Sequence, residues 1–187
     1  MVQYIDYYID DNETIYVHVA EDSATVNDTQ GFNVRFDLSM ITELSGQSTV
    51  FLNHARFAVN GANASADDVN NCVVYNVAGI VPEGTITAHG NGFSSLDDYQ
   101  QVKGWPLKGC FGTATRGRGR DSTVAADMWQ GVGQRVTWTK TYKPRSSLLI
   151  SRMQMITLNC GLSPQGGFSS GDWKGTISMD LQLKRGN

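Results

Sequence analysis

The chain has 187 residues, 40% of them apolar and 18% charged, with a formal net charge of −3. That length suffices for one domain with a sizeable core, and twenty glycines beside four prolines favour an all-β chain rich in turns over a helical one. No apolar run approaches the roughly 20 residues of a membrane helix, and the first residues carry neither a basic segment nor a continuous apolar stretch, so neither membrane insertion nor a secretory route is expected.

Residues 1–30 read as an N-terminal arm or extra strands. Within them Tyr4 to Ile9 is a weak strand that suits an arm reaching onto a neighbour. Alternation with period two then marks strands with one buried and one wet face. It runs through Ile15, Val17 and Val19, and again through residues 32–38, with Phe32, Val34, Phe36 and Leu38 inward and Asn33, Arg35 and Asp37 outward. A single helical turn fits residues 39–44. The next strand, 49–60, starts with Val50 and Leu52 inward and resumes with Ala55, Phe57 and Val59. That slip of one residue at Asn53-His54 predicts a β-bulge, because one extra residue reverses every side chain after it.

Further strands are expected at 72–77, 84–89, 135–142 and 147–158. A short helix from a capping box at Ser95 reaches about Val102. The last strand, 176–184, points Ile177, Met179, Leu181 and Leu183 one way and Ser178, Asp180 and Gln182 the other. Polar or glycine-rich segments at 60–63, 82–84, 90–92 and 165–167 punctuate the series. Seven to nine short strands with almost no helix define an antiparallel β-sandwich or barrel.

Charge is divided along the chain. Residues 1–102 carry fourteen Asp/Glu against two Arg, and residues 103–187 carry thirteen Lys/Arg against four Asp. Two readings follow: the halves pair inside one sandwich, or the acidic face of one copy meets the basic face of the next in a heterologous contact that closes into a ring. Cys72, Cys110 and Cys160 are odd in number and widely spaced, which fits free thiols and neither a disulfide framework nor a zinc site.

Motifs of catalysis are missing. His18, His54 and His89 fall on separate strands without metal-ligand spacing, and no nucleophile elbow, phosphate loop or dinucleotide fingerprint occurs. Asp10-Asp11, Asp67-Asp68 and Asp97-Asp98 lack the spaced oxygens of a calcium loop. No enzyme, metal or cofactor is therefore expected. Arg116, Arg118 and Arg120 alternate with glycine in a cationic loop. With no aromatic among them and an acidic remainder, the loop fits a subunit contact better than direct nucleic-acid binding. Trp105, Trp129 and Trp173 sit in loop-like settings, as protein–protein anchors or as a sugar platform, while Trp138 alternates with Val136 as core.

Residues 32–59 run as a short alternating strand, a connection and a long strand (Phe-Asn-Val-Arg-Phe-Asp-Leu, then Ser-Thr-Val-Phe-Leu-Asn-His-Ala-Arg-Phe-Ala-Val). The chain ends with an apolar strand, a Gly/Ser-rich loop over 161–171 and an amphipathic strand. This pattern, over about half the chain, resembles the single jelly-roll penton and minor capsid proteins of large icosahedral double-stranded DNA viruses such as chloroviruses. Residues 90–134 do not follow it. The resemblance implies one eight-stranded jelly-roll domain over 1–187, a homopentamer at each vertex and contacts with neighbouring major and minor capsid proteins. It also implies a place in the virion after synthesis in the host cytoplasm. The first thirty residues hold seven acids and no Lys or Arg, so they are unsuited to genome binding. The candidate interface residues are Arg116, Arg118, Arg120, Trp105 and Trp173. A carbohydrate-binding sandwich, whether a lectin or a viral attachment domain, is the alternative.

Overall fold

A computed structural model describes residues 3–26, 32–63, 74–83, 105–113, 135–162 and 173–186. Among these residues ten strands follow in chain order: β1 (Tyr4–Ile9), β2 (Thr14–Val26), β3 (Phe32–Phe36), β4 (Thr49–Asn63), β5 (Val74–Pro82), β6 (Trp105–Thr113), β7 (Arg135–Tyr142), β8 (Leu148–Ser151), β9 (Gln154–Leu162) and β10 (Trp173–Arg185). Two 3-10 turns, Leu38–Met40 and Thr42–Leu44, occupy the single-turn segment read from the sequence.

One sheet runs β1-β2-β10-β4-β7, with β8 also on β4, and the other runs β3-β9-β5-β6. The antiparallel pairs are nested: β2 with β10, β3 with β9, β4 with β7, β5 with β6. Each of eight strands thus finds its partner by folding the chain back on itself, first with last and inner with inner. That is the jelly roll. β1 adds an edge to the first sheet and β8 extends the opposite edge.

The inward rows build the core. Ile15, Val17 and Val19 of β2, Ile177, Met179, Leu181 and Leu183 of β10, and Ala55, Phe57 and Val59 of β4 are buried in one cluster. Val34 and Phe36 of β3, Ala78 and Ile80 of β5, and Ile156 and Leu158 of β9 join them from the other sheet. Removing such side chains from water stabilises the fold by about 1.5–3 kcal/mol each. The expected bulge is present. Gln182 faces His54 while Leu183 faces Leu52, so Asn53 is the additional residue. Its carboxamide oxygen accepts a bond from Ser147 Oγ at 2.6 Å, at the point where β7 gives way to β8 beside β4.

Several expectations are corrected. Tyr4–Ile9 is no arm: β1 pairs along its whole length with β2. The Gln3 amide clasps the β3 backbone, donating to Arg35 O at 2.8 Å and accepting from Arg35 N at 3.0 Å. Residues 147–158 are two strands, because the chain turns at Arg152-Met153 and passes from β4 in one sheet to β3 and β5 in the other. Asn60 to Asn63 continue β4. Asn33 is buried, because the outward face of β3, β9 and β5 is itself covered, through Val81, Met155, Thr157 and Asn159. Asn159 Nδ2 meets part of the resulting polar demand by donating to Thr157 Oγ1 at 3.0 Å. Strand β6 fills part of the segment that the family pattern left unplaced. The expected strand at 84–89, the helix at 95–102 and Cys72 lie outside the described residues.

Deleting Asn53 removes the bulge and joins Val50 and Leu52 to Ala55, Phe57 and Val59 in one unbroken alternation, whereas deleting Arg56 turns the inward row out of phase at Phe57. In urea unfolding the Arg56 deletion should cost about 3 kcal/mol or more and the Asn53 deletion clearly less, and equal losses would contradict the bulge.

Candidate functional site

The sites read from the sequence divide as follows. Trp105 opens β6 and Trp173 opens β10, so both belong to strands, one in each sheet, rather than to loops. Ordinary ladder pairing extends the strands beyond their clear alternation: Trp173 pairs with Val26 and Asn63, and Trp105 with Ile80. Trp138 lies within β7, opposite Val59. Arg116, Arg118, Arg120, Trp129 and His89 lie outside the described residues.

Two features of the first sheet were not legible as sites. One is its outer face. Because successive side chains alternate, the register sets Tyr8, Tyr16, Gln182 and His54 in one row across β1, β2, β10 and β4. Asp6, His18, Asp180 and Arg56 form the next row. All of these except Arg56 line a groove of about 290 Å³. Histidines 36 positions apart in the chain thus share one groove, on either side of β10.

The groove is internally ordered. His18 Nδ1 lies 2.6 Å from Asp180 Oδ1, and Arg56 Nη1 lies 3.7 Å from Asp180 Oδ2. The rings of Tyr8 and Tyr16 stack at 4.7 Å and 10°, and Tyr4 meets the His18 ring edge-on at 6.5 Å. Gln182 Nε2 donates to Tyr16 Oη at 3.5 Å, and Tyr16 Oη donates to Asp10 Oδ2 at 3.4 Å. Partial desolvation and the Asp10 charge push the Tyr16 hydroxyl pKa up, so it keeps its proton through the neutral range. Among the described residues no three His, Cys, Asp or Glu converge as metal ligands, and the described groove lining offers no Ser, Thr or Cys nucleophile.

The second feature is the pair of edges. On β1 and the turn after it stand Asp6, Asp10, Asp11 and Glu13, with no Lys or Arg from 3 to 13. Asp10 shapes that turn, its Oδ1 accepting from the backbone N–H groups of Asn12 and Thr14 at 2.9 and 2.8 Å, and Glu13 sits at φ 59°. On β7 and the loop after it stand Arg135, Lys140, Lys143 and Arg145, with no acid from 135 to 148. Tyr142 lies in the same register row as Ala55, Leu181, Val17 and Tyr7, so Lys140, Lys143 and Arg145 sit at the height of the acidic segment, while Arg135, in register with Ala62, lies beyond the end of β1. The large exposed apolar side chains among the described residues are Tyr4, Tyr8 and Ile9 on β1, Leu149 on β8 and Met153 just after it. They too mark the two margins of the first sheet.

These are the edges and one open face of a β-jelly roll, the class of protein the fold defines. Comparison with known proteins finds no family model that matches the chain and no curated protein similar to it.

Tyr7 ties β1 to the turn at Thr42–Leu44, its hydroxyl donating to Glu43 Oε2 at 2.7 Å. That bond holds the Glu43 carboxyl below its ordinary 4.5 and raises the Tyr7 hydroxyl above its ordinary 10.0. A depressed acid contributes stability above its unfolded pKa and loses it as pH falls through the folded one. A raised tyrosine contributes below its unfolded pKa and loses it as pH rises through the folded one. The contact therefore supports the fold between those limits. Comparing Tyr7→Phe with the parent by thermal melting, the stability difference should be greatest near neutrality and shrink below pH 4.5 and above pH 10.0; a pH-independent difference would contradict the assignment.

Proposed function

We propose that the protein is a structural subunit that assembles with copies of itself, in the manner of the vertex-forming capsid protein of an icosahedral virus. Its rim loops then meet neighbouring capsid proteins in the virion. The observation that carries this reading is the opposite charge on the two edges of the first sheet. Three strands, β2, β10 and β4, separate β1 from β7. At about 4.8 Å per strand the two edges stand roughly 19 Å apart. That is about twice the Debye length at physiological ionic strength, some 8–10 Å. Within one subunit the acidic and basic edges therefore do little to neutralise each other, which disfavours the intramolecular explanation for these residues. Between subunits they are opposite in sign and level in height.

A contact from the β1 edge of one copy to the β7 edge of the next is heterologous, and repeated rotation closes it into a ring. Exposed ion pairs contribute only about 0–1 kcal/mol each, so the charges steer and orient. Burial of Ile9, Leu149 and Met153, all exposed in the subunit, supplies the affinity. The groove's His18–Asp180 pair faces no nucleophile in the described lining, which favours binding over catalysis.

The test is a charge exchange followed by sedimentation velocity. The parent chain should form a closed oligomer at about 0.05 M salt and dissociate towards about 0.5 M. Asp11→Lys with Glu13→Lys should leave single subunits, as should Lys143→Glu with Arg145→Glu. Combining all four substitutions should restore the oligomer. A parent chain that stays monomeric at every salt and protein concentration would falsify the assembly reading.

A further inference from the structure

Assembly through the sheet edges leaves the outer face of β1, β2, β10 and β4 open, and with it the groove lined by Asp6, Tyr8, Tyr16, His18, His54 and Gln182. We propose that this groove binds a neutral saccharide. Its volume of about 290 Å³ lies just under the roughly 300 Å³ at which sites for drug-sized ligands begin, in keeping with a ligand of one or two sugar rings. Four properties of the lining select the ligand class.

First, one wall is aromatic. Tyr8 stacks against Tyr16 through one ring face and is 61% exposed, so a flat apolar surface remains for the C–H face of a sugar ring. Second, the polar groups are mixed rather than of one kind. The carboxylates of Asp6 and Asp180 accept hydrogen bonds, the Gln182 amide both donates and accepts, and His18 and His54 add ring nitrogens. Hydroxyl groups, each a donor and an acceptor at once, match such a set, whereas a purely anionic or purely apolar ligand leaves half of it unpaired. Third, the local charge is nearly balanced. Asp180 is already engaged by His18 at 2.6 Å and Arg56 at 3.7 Å. The remaining Asp6 carboxylate disfavours an acidic sugar, sulfate or phosphate. Fourth, the walls are held in place: Tyr16 lies between Asp10 and Gln182 in a chain of hydrogen bonds, and His18 is fixed by Asp180 and Tyr4. Rigid side chains lose less entropy on binding.

The site differs from the tryptophan platform that is one of two readings of the sequence. Its aromatic wall is the tyrosine pair on β1 and β2, whereas Trp105 opens β6 in the other sheet and Trp173 opens β10, in register with Val26 and Asn63.

The full chain is titrated with glucose, galactose, mannose and N-acetylglucosamine by saturation-transfer NMR, and applied to an array of neutral and acidic glycans. The solution contains about 0.5 M salt, so that edge contacts are screened. At least one neutral sugar should bind. Tyr8→Ala and Asp6→Asn should each weaken that binding about tenfold with the melting transition retained. Thr139→Ala, on the same outer face but beyond the groove, should leave it unchanged. The proposal is overturned by no response to any neutral sugar, by preference for acidic glycans, by binding of free arginine in place of sugar, or by full affinity in the Tyr8 and Asp6 variants. In the parent chain, a lack of any sugar response leaves the salt-dependent association standing, and a chain that stays monomeric at every salt concentration can still bind sugar, so the two readings fail separately.

Discussion

The insertion of β10 between β2 and β4 is the constraint on which the rest depends. Its inward row, Ile177, Met179, Leu181 and Leu183, is buried against both neighbours, and its outward row supplies Asp180 and Gln182 to the groove. Because β10 is the last strand and β2 lies near the start, the contact between His18 and Asp180 spans 162 positions. Closing so long a loop has an entropic cost before any native contact offsets it, so folding of this topology is limited by non-local pairing. Once β10 is in place, the two edges of the first sheet and the register of its outer face are determined together.

Electrostatics follow from that arrangement. A net charge of −3 describes the chain poorly, since it averages two margins of opposite sign. Had the strand order brought β1 beside β7, the same residues would form intramolecular pairs and no surface asymmetry would survive. Three intervening strands instead put the margins beyond mutual screening distance. Sheet edges are also where backbone groups and apolar side chains stay available. Natural sandwiches commonly protect such edges with charge, and here the charges on the two sides are complementary rather than alike.

The outer face shows how an antiparallel ladder converts distant residues into neighbours. Four strands each contribute one or two side chains to the groove, and directly opposed residues in such ladders stand about 4.5–5.5 Å apart. Tyr8 and Tyr16 face each other beside the turn of the β1–β2 hairpin and are close in sequence. His54 and Gln182 arrive from strands far apart in the chain. The bulge at Asn53 matters here as well: without it, His54 and Leu52 could not face opposite sides of a strand that is buried before and after the slip.

The amino-acid sequence by itself determined the strands with clear alternation, the inward rows of β2, β3, β4 and β10, the bulge at Asn53-His54, a helical turn within 39–44 and the all-β class. Each of these is a local consequence of side chains pointing to opposite faces, so period and phase are readable along the chain. The resemblance in residues 32–59 anticipated the jelly roll that the nested pairing displays. What only the tertiary structure decided is which strand lies beside which. Pairing between distant strands leaves no periodic trace, so the break at Arg152-Met153, the burial of Asn33 under a covered outer face and the role of β1 as an edge were hidden. The groove was hidden for the same reason, since Asp6, His18, His54 and Asp180 become a site only when the register of four strands brings them level.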